Sequence, residues 1–258
     1  MSEKLTHCKG RDLGRIVATV ECRMSSSRLP GKILMPACGK PLLEILAQRL
    51  LLVPELDAVV LATTGNPGDD PVAGLAERLG IGCWRGSEDD VLRRVLDAAH
   101  WAGADTIVEI TGDCPLIDPA IISQVIGLYR HNDCDYASNI DPRAFPDGMD
   151  TQVFSTALLA EADTATDDLE DREHVSWFIR RHPGRFRKVH LPAPPELRWP
   201  ELGLTLDEQA DYDLIRTLFE HFLPDNPGFG CQDMVRHLRA NPGLLELNAA
   251  VKRRSPSA

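Results

Sequence analysis

The chain has 258 residues, a formal net charge of −11 and a hydrophobic share of 43%. Its pI near 5.2 argues against nonspecific nucleic-acid binding, which needs a broad basic face, and no apolar run approaches the roughly 20 residues of a membrane span. Seven cysteines without a C-x-x-C pair point to reduced thiols and a cytoplasmic protein, and the opening MSEKLTHCKGRDLGR has no apolar h-region for secretion.

Strand-like and helix-like segments alternate along the first half. Ile16 to Val20 (IVATV) is a continuous apolar run with β-branched residues, the pattern of a buried strand. Pro41 to Leu52 has helical spacing with Pro41 at a first helical position. Asp57 to Thr64 reads as the next strand and Asp70 to Leu79 as a helix, with Asp70 as its cap before Pro71. Ile81 to Trp84 is a short strand. Ser87 is the expected N-cap of a helix running to Trp101, with Glu88, Asp89 and Asp90 in its first turn. Thr106 to Thr111 is a strand, and Asp118-Pro119 opens a helix reaching Tyr129. Repeated βα units with short connections predict a mostly parallel central sheet with helices on both faces.

The second half is less regular. Tyr136 to Ser138 and Thr151 to Ser155 are expected strands flanking the turn-rich FPDGMD. Arg172 to Arg181 reads as a helix and Leu191 to Pro200 as a surface loop. Leu204 to Leu206 reads as a short strand and Glu208 to Phe222 as a helix. The expected organisation is an extension over residues 1–13, one domain over 14–250, and a disordered tail over 251–258.

Ligands of open α/β sheets bind at the carboxyl ends of the strands, so the loops there carry the functional signal. The first strand is followed by RMSSSRLPGK, the second by TTGNPGDDP, the third by RGSEDD and the fourth by TGDCPLID; LTLDE comes late in the chain. Cations, small hydroxyls and isolated acids at one edge suit a phosphate–metal site, with Lys and Arg offsetting phosphate charge and Asp oxygens holding Mg²⁺. Each residue also has a plainer reading. Arg23, Arg28 and Lys32 also read as solvated loop charges, Asp113 as a turn residue, Asp207 as a helix cap and His174 as a surface histidine.

The ordered set IVATVECRMSSSRLPGK, ATTGNPGDDP, RGSEDDVLRRV, ITGDCPLIDP, FPDGMDTQVF, REHVSWFI and LTLDEQADYDLIR resembles bacterial cytidylyltransferases that activate acidic sugars, and within them the spore-coat polysaccharide F-like branch. The resemblance covers residues 14–250. It implies a Rossmann-like nucleotidyltransferase fold and CMP transfer from CTP to an anionic acceptor with Mg²⁺, in a family where homodimers are common. By family position, Asp113 and Asp207 are the expected metal ligands, and Lys32 and Arg23 the residues meeting the triphosphate. Ser25, Ser26, Arg28 and Gly31 line the loop, and Thr63, Gly86, Asp89 and Asp90 surround the nucleoside. Asp147, Gly148, Asp150, Glu173 and His174 shape the acceptor pocket.

The sequence departs from the family at three places. Glu21-Cys22 stands where Gln-Ala is usual, Gln152 where an acid is common, and Gly203 where an arginine is common. Two rival classes stay open. A nucleotide-sugar glycosyltransferase of related fold normally shows D-x-D at a strand end, where this chain has G-D-C-P. A noncatalytic nucleotide-binding protein is disfavoured by intact Lys32, Asp113 and Asp207.

Overall fold

The computed structural model describes residues 10–253. Strand β1 (Ile16–Glu21) is followed by a small hairpin of β2 (Pro36–Ala37) and β3 (Lys40–Pro41), then helix α1 (Leu42–Leu50). Next come β4 (Ala58–Thr64), α2 (Asp70–Leu79), β5 (Gly82–Gly86), α3 (Val91–Trp101), β6 (Thr106–Thr111) and α4 (Pro119–His131). The second half holds β7 (Tyr136–Ser138), β8 (Gln152–Ser155), α5 (Thr156–Ala165), α6 (Leu169–Glu173), α7 (Trp177–Arg181), β9 (Lys188–His190), α8 (Gln209–Phe222) and α9 (Cys231–Ala240).

Seven strands form one sheet in the order β5-β4-β1-β6-β8-β7-β9. All neighbours pair parallel except β8, which runs antiparallel to both β6 and β7. Chain order moves outward from β1 to β4 and β5, then jumps to β6 on the other side of β1. The strand order reverses between β1 and β6, and in such sheets ligands bind at the carboxyl ends beside that switch point. The apolar run of β1 is explained by burial on both faces. Ile16, Ala18 and Val20 enter a core shared with α1, α2, α4, α8 and α9, while Val17 enters a second core under α3, α5 and α7. Among the described residues no helix is long and apolar enough to cross a membrane.

Several expectations are corrected. The helix after β5 begins at Val91, and its cap is Asp90, whose carboxylate accepts the Arg93 N–H at 3.0 Å. Ser87 instead accepts the Asp90 N–H at 3.1 Å, one turn earlier, so Glu88 and Asp89 belong to a loop. The expected helix Arg172 to Arg181 is two short helices, α6 and α7, separated where the His174 carbonyl accepts the Trp177 N–H at 2.6 Å. Leu204 to Leu206 is not a sheet strand. Its N–H groups are taken by loops instead, Leu204 by the Asp147 carbonyl at 2.7 Å and Leu206 by the Asp113 carbonyl at 2.8 Å. The first helix stops at Leu50, leaving Leu51 and Leu52 exposed.

Helices α5 and α9 and strand β9 have no counterpart in the sequence reading. The outer segments are not uniformly free either. Leu13 is buried, and the Arg11 guanidinium lies 3.5 Å from the Tyr129 ring centroid. Arg253 is paired with Asp211 at 2.6 Å, while the remainder of the expected tail, 254–258, lies outside the described residues.

Candidate active site

The loop after β1 turns at Gly31, whose φ of 72° lies in the left-handed region that glycine enters without Cβ strain. The turn returns the Gly31 N–H to the Met24 carbonyl at 2.9 Å and starts a short 3-10 turn at Lys32. Lys32 thereby reaches from the β1 loop to Asp113 and Asp207. Its Nζ lies 3.1 Å from Asp207 Oδ1 and 3.5 Å from Asp113 Oδ2, and it donates to the Leu206 carbonyl. Asp113 comes from the turn after β6 and Asp207 from the loop before α8, so three distant parts of the chain meet at one ammonium. Arg28 joins them, with a guanidinium nitrogen 2.7 Å from Asp207 Oδ1.

A second node forms beside it. Glu88 accepts hydrogen bonds from Ser25 Oγ and Asn66 Nδ2, and Arg23 lies 3.6 Å away. The two hydrogen bonds, first that of Ser25, hold the half-buried Glu88 carboxyl below the usual range. Buried Asp69 ties the loop to β4 by accepting Met24 N–H at 2.7 Å and Thr64 N–H at 3.3 Å. Buried Arg94 donates to the Ala62 carbonyl at 3.2 Å and to the Glu88 carbonyl at 3.2 Å, fixing the 87–90 loop on the strand end. Motif reasoning missed Glu88, Asp69 and Arg94 as organisers, although all three lie inside motifs quoted from the sequence.

The remaining expected nucleotide residues differ in role. Ser26 Oγ accepts the Leu29 N–H at 3.4 Å within the loop. Thr63 is buried, and its Oγ1 has no partner among the described residues. Gly86 leaves room for Arg94, since a Cβ there would stand 3.0 Å from Arg94 Cγ. Asp89 is exposed. Asp90 is committed to the fold, capping α3 with one oxygen and pairing with Arg172 at 2.9 Å through the other.

Among the residues expected to shape an acceptor pocket, Asp150 is held by Arg143 through two 2.6 Å hydrogen bonds and Asp147 pairs with Arg143 at 2.9 Å. Burial and the neighbouring Asp150 push the Asp147 carboxyl up, while Arg143 opposes them. Gly148 has φ 108°, and a Cβ there would meet the Leu204 carbonyl at 2.8 Å, so only glycine fits. Glu173 and His174 are exposed at the break between α6 and α7. Below them lies a buried polar group that sequence reasoning did not assemble. Glu109 sits beside Gln152 across β6 and β8, and Gln152 Oε1 accepts from Tyr136 Oη at 2.6 Å and from Ser176 Oγ. Burial pushes the Glu21 carboxyl up to about 7 and the Glu109 carboxyl well above its ordinary value.

The residues present fit Mg²⁺. Among the described residues no group of three or more His, Cys, Asp or Glu side chains converges as an all-protein metal site. Asp113 and Asp207 instead supply two hard oxygen donors facing one cation. That sparse set suits an ion that completes its shell with substrate phosphates and water. A cavity of about 590 Å³ opens at the opposite, amino-terminal end of the sheet, lined by Arg11, Asp105, Tyr129 and Glu161. None of the charged strip lines it, and the strand carboxyl ends are where this architecture binds nucleotides.

A mostly parallel sheet with its switch point between β1 and β6, a glycine-turned basic loop and two acids at that edge define a Rossmann-like nucleotidyltransferase. A cytidylyltransferase of Leptospira borgpetersenii serovar Hardjo-bovis superposes with a TM-score of 0.85 at 30% identity, covering 93% of this chain and 99% of that one. The chain belongs to the cytidylyltransferase family, which it matches over residues 17–234. Among relatives, the spore coat polysaccharide biosynthesis protein SpsF of Bacillus subtilis is 31% identical over 88% of this chain and 95% of its own length. An uncharacterized protein of Methanocaldococcus jannaschii is 31% identical over 93% of this chain and 97% of its own.

Proposed function

We propose that the chain transfers CMP from CTP to an anionic sugar or related acid and releases pyrophosphate, with Mg²⁺ held by Asp113 and Asp207. The observation that carries this reading is Lys32 bracketed by those two carboxylates at the carboxyl edge, in a chain of the cytidylyltransferase family. An acceptor oxygen attacks the α-phosphorus in line, and the bond to the bridging oxygen breaks as pyrophosphate leaves. Two anions must approach, and negative charge grows on the leaving oxygen. Bound Mg²⁺ supplies Lewis-acid neutralisation of phosphoryl oxygens. Lys32 adds a fixed point charge beside the triphosphate, and Arg23 and Arg28 add planar donors suited to phosphate. Arg143, with Asp147 and Asp150, shapes the acceptor side.

The name of SpsF supports an acceptor from polysaccharide synthesis. Free thiols at the described cysteines support a cytoplasmic reaction. The test is pyrophosphate release from CTP, UTP, ATP and GTP against 2-keto acid sugars, phosphorylated polyols and phosphonates, with products followed by phosphorus NMR. A CMP-linked product with CTP preferred at least ~10-fold supports the reading, because a pocket that hydrogen-bonds cytosine leaves groups unpaired against uracil. Sugar transfer from a UDP-sugar, with UDP released and no pyrophosphate, overturns it.

A further inference from the structure

Asp207 sits on a loop whose own backbone is held from an unexpected direction. The N–H groups of Asp207 and Glu208 both donate to Asp211 Oδ2, at 3.1 and 3.0 Å. This is a local device, because Asp211 is the third residue of α8 and forms a capping box with Glu208. The other oxygen of Asp211 belongs to the far end of the chain. Asp211 Oδ1 accepts from Arg253 Nη2 at 2.6 Å and from Asn248 Nδ2 at 2.9 Å. Asp211 is fully buried, so this carboxylate depends on the cation beside it.

The room for Arg253 comes from Gly203. A Cβ built at Gly203 would overlap the Arg253 guanidinium. Arg253 also donates to the Thr205 carbonyl at 3.2 Å, and Asn248 to the Gly203 carbonyl at 3.0 Å. The C-terminal segment therefore closes over the whole stretch from Gly203 to Asp211.

We infer that Arg253, seated in the space left by Gly203, is a positioning residue that holds Asp211 and through it the Asp207 loop at the nucleotide–metal site. This rests on the reading that Asp207 serves Mg²⁺ and CTP. Arg253 touches no reacting atom; it sets where the Asp207 backbone and carboxylate stand. Gly203→Ala is an independent way to break the clamp, since the added methyl displaces the guanidinium without removing it.

Two measurements test this on the full chain. Residue-resolved amide exchange should rise about tenfold at Asp207 and Glu208 in both Arg253→Ala and Gly203→Ala, with β1 and β6 amides unchanged. Calorimetric titration should show CTP binding weakened about tenfold in the presence of Mg²⁺ and unchanged in EDTA. A double variant, Gly203→Arg with Arg253→Ala, should recover part of both. Unchanged exchange at those two amides in both single variants overturns the inference, as does an equal loss of CTP affinity with and without Mg²⁺. If the unaltered chain binds no CTP, the donor reading fails by itself, and the exchange data still decide whether Arg253 holds the loop.

Discussion

The strip around Lys32 and the buried group around Glu109 lie at the same edge of the sheet and use the same residue types in opposite ways. In the strip three acids face cations: Asp113 and Asp207 face Lys32, Asp207 also faces Arg28, and Glu88 faces Arg23. These groups come from loops and remain partly open to water, which is what the proposed exchange for phosphate and metal requires. Buried Glu109 and half-buried Glu21 each keep an oxygen with no hydrogen-bond partner among the described residues. Burial outweighs the nearest cations there, Arg180 for Glu109 and Arg94 for Glu21, and each carboxyl is pushed up. On the proposed reading paired loop charge serves ligand exchange, whereas enclosed charge makes the fold sensitive to pH.

The comparison breaks most sharply at the strip. Asp113→Asn or Asp207→Asn should lower turnover by roughly 100-fold or more while the circular dichroism melt stays near that of the unaltered chain, because each loses a charge that orients phosphates rather than one that supports the core. Turnover of Asp113→Asn matching the unaltered chain at ordinary Mg²⁺ removes the two-carboxylate assignment. Lys32→Ala should cost about 2–4 kcal/mol in kcat/KM, with kcat itself reduced. Lys32→Arg should recover little, since a planar fork does not replace a point charge between two carboxylates. An effect confined to KM would mean that Lys32 only binds the ground state.

The buried group should answer to pH instead. The Glu21 carboxyl titrates near 7 in the folded chain against an ordinary value of 4.5. Between those values the native state keeps a proton that the unfolded chain has released, so this group makes stability fall as pH rises through that window. Below it both states are protonated and the difference vanishes. Glu21→Gln should therefore flatten the decline in urea midpoint between pH 5 and pH 8, and an unchanged slope contradicts the assignment. Ser176→Ala should have the smallest effect. Gln152 Oε1 keeps the Tyr136 hydroxyl after losing Ser176, so the cost is about 1 kcal/mol, read as a lower denaturation midpoint. A loss several times larger would show that Ser176 supports more than this one acceptor.

Local pattern was enough wherever one segment dictated its own state. The runs at Ile16, Ala58 and Thr106 are strands because both faces of the sheet are covered, and Asp118 caps α4 by accepting the Ala120 N–H at 2.8 Å. The positions of Lys32, Asp113 and Asp207 were legible because each follows a strand or opens a helix in a quotable motif. What remained hidden depends on partners far away in the chain. Leu204 to Leu206 has a strand-like composition, yet the Asp147 and Asp113 carbonyls take its N–H groups. Asp90 reads as a nucleoside contact until Arg172 and the start of α3 claim its two oxygens. Glu88 gains its role only when β1 and β4 bring Ser25, Asn66 and Arg23 to it. Apolar runs and turn residues are set by short-range sterics and burial, which a sequence carries in its spacing. The partner of a charge is set by which loops the sheet brings within about 4 Å, the range at which an ion pair forms, and only the tertiary structure decides that.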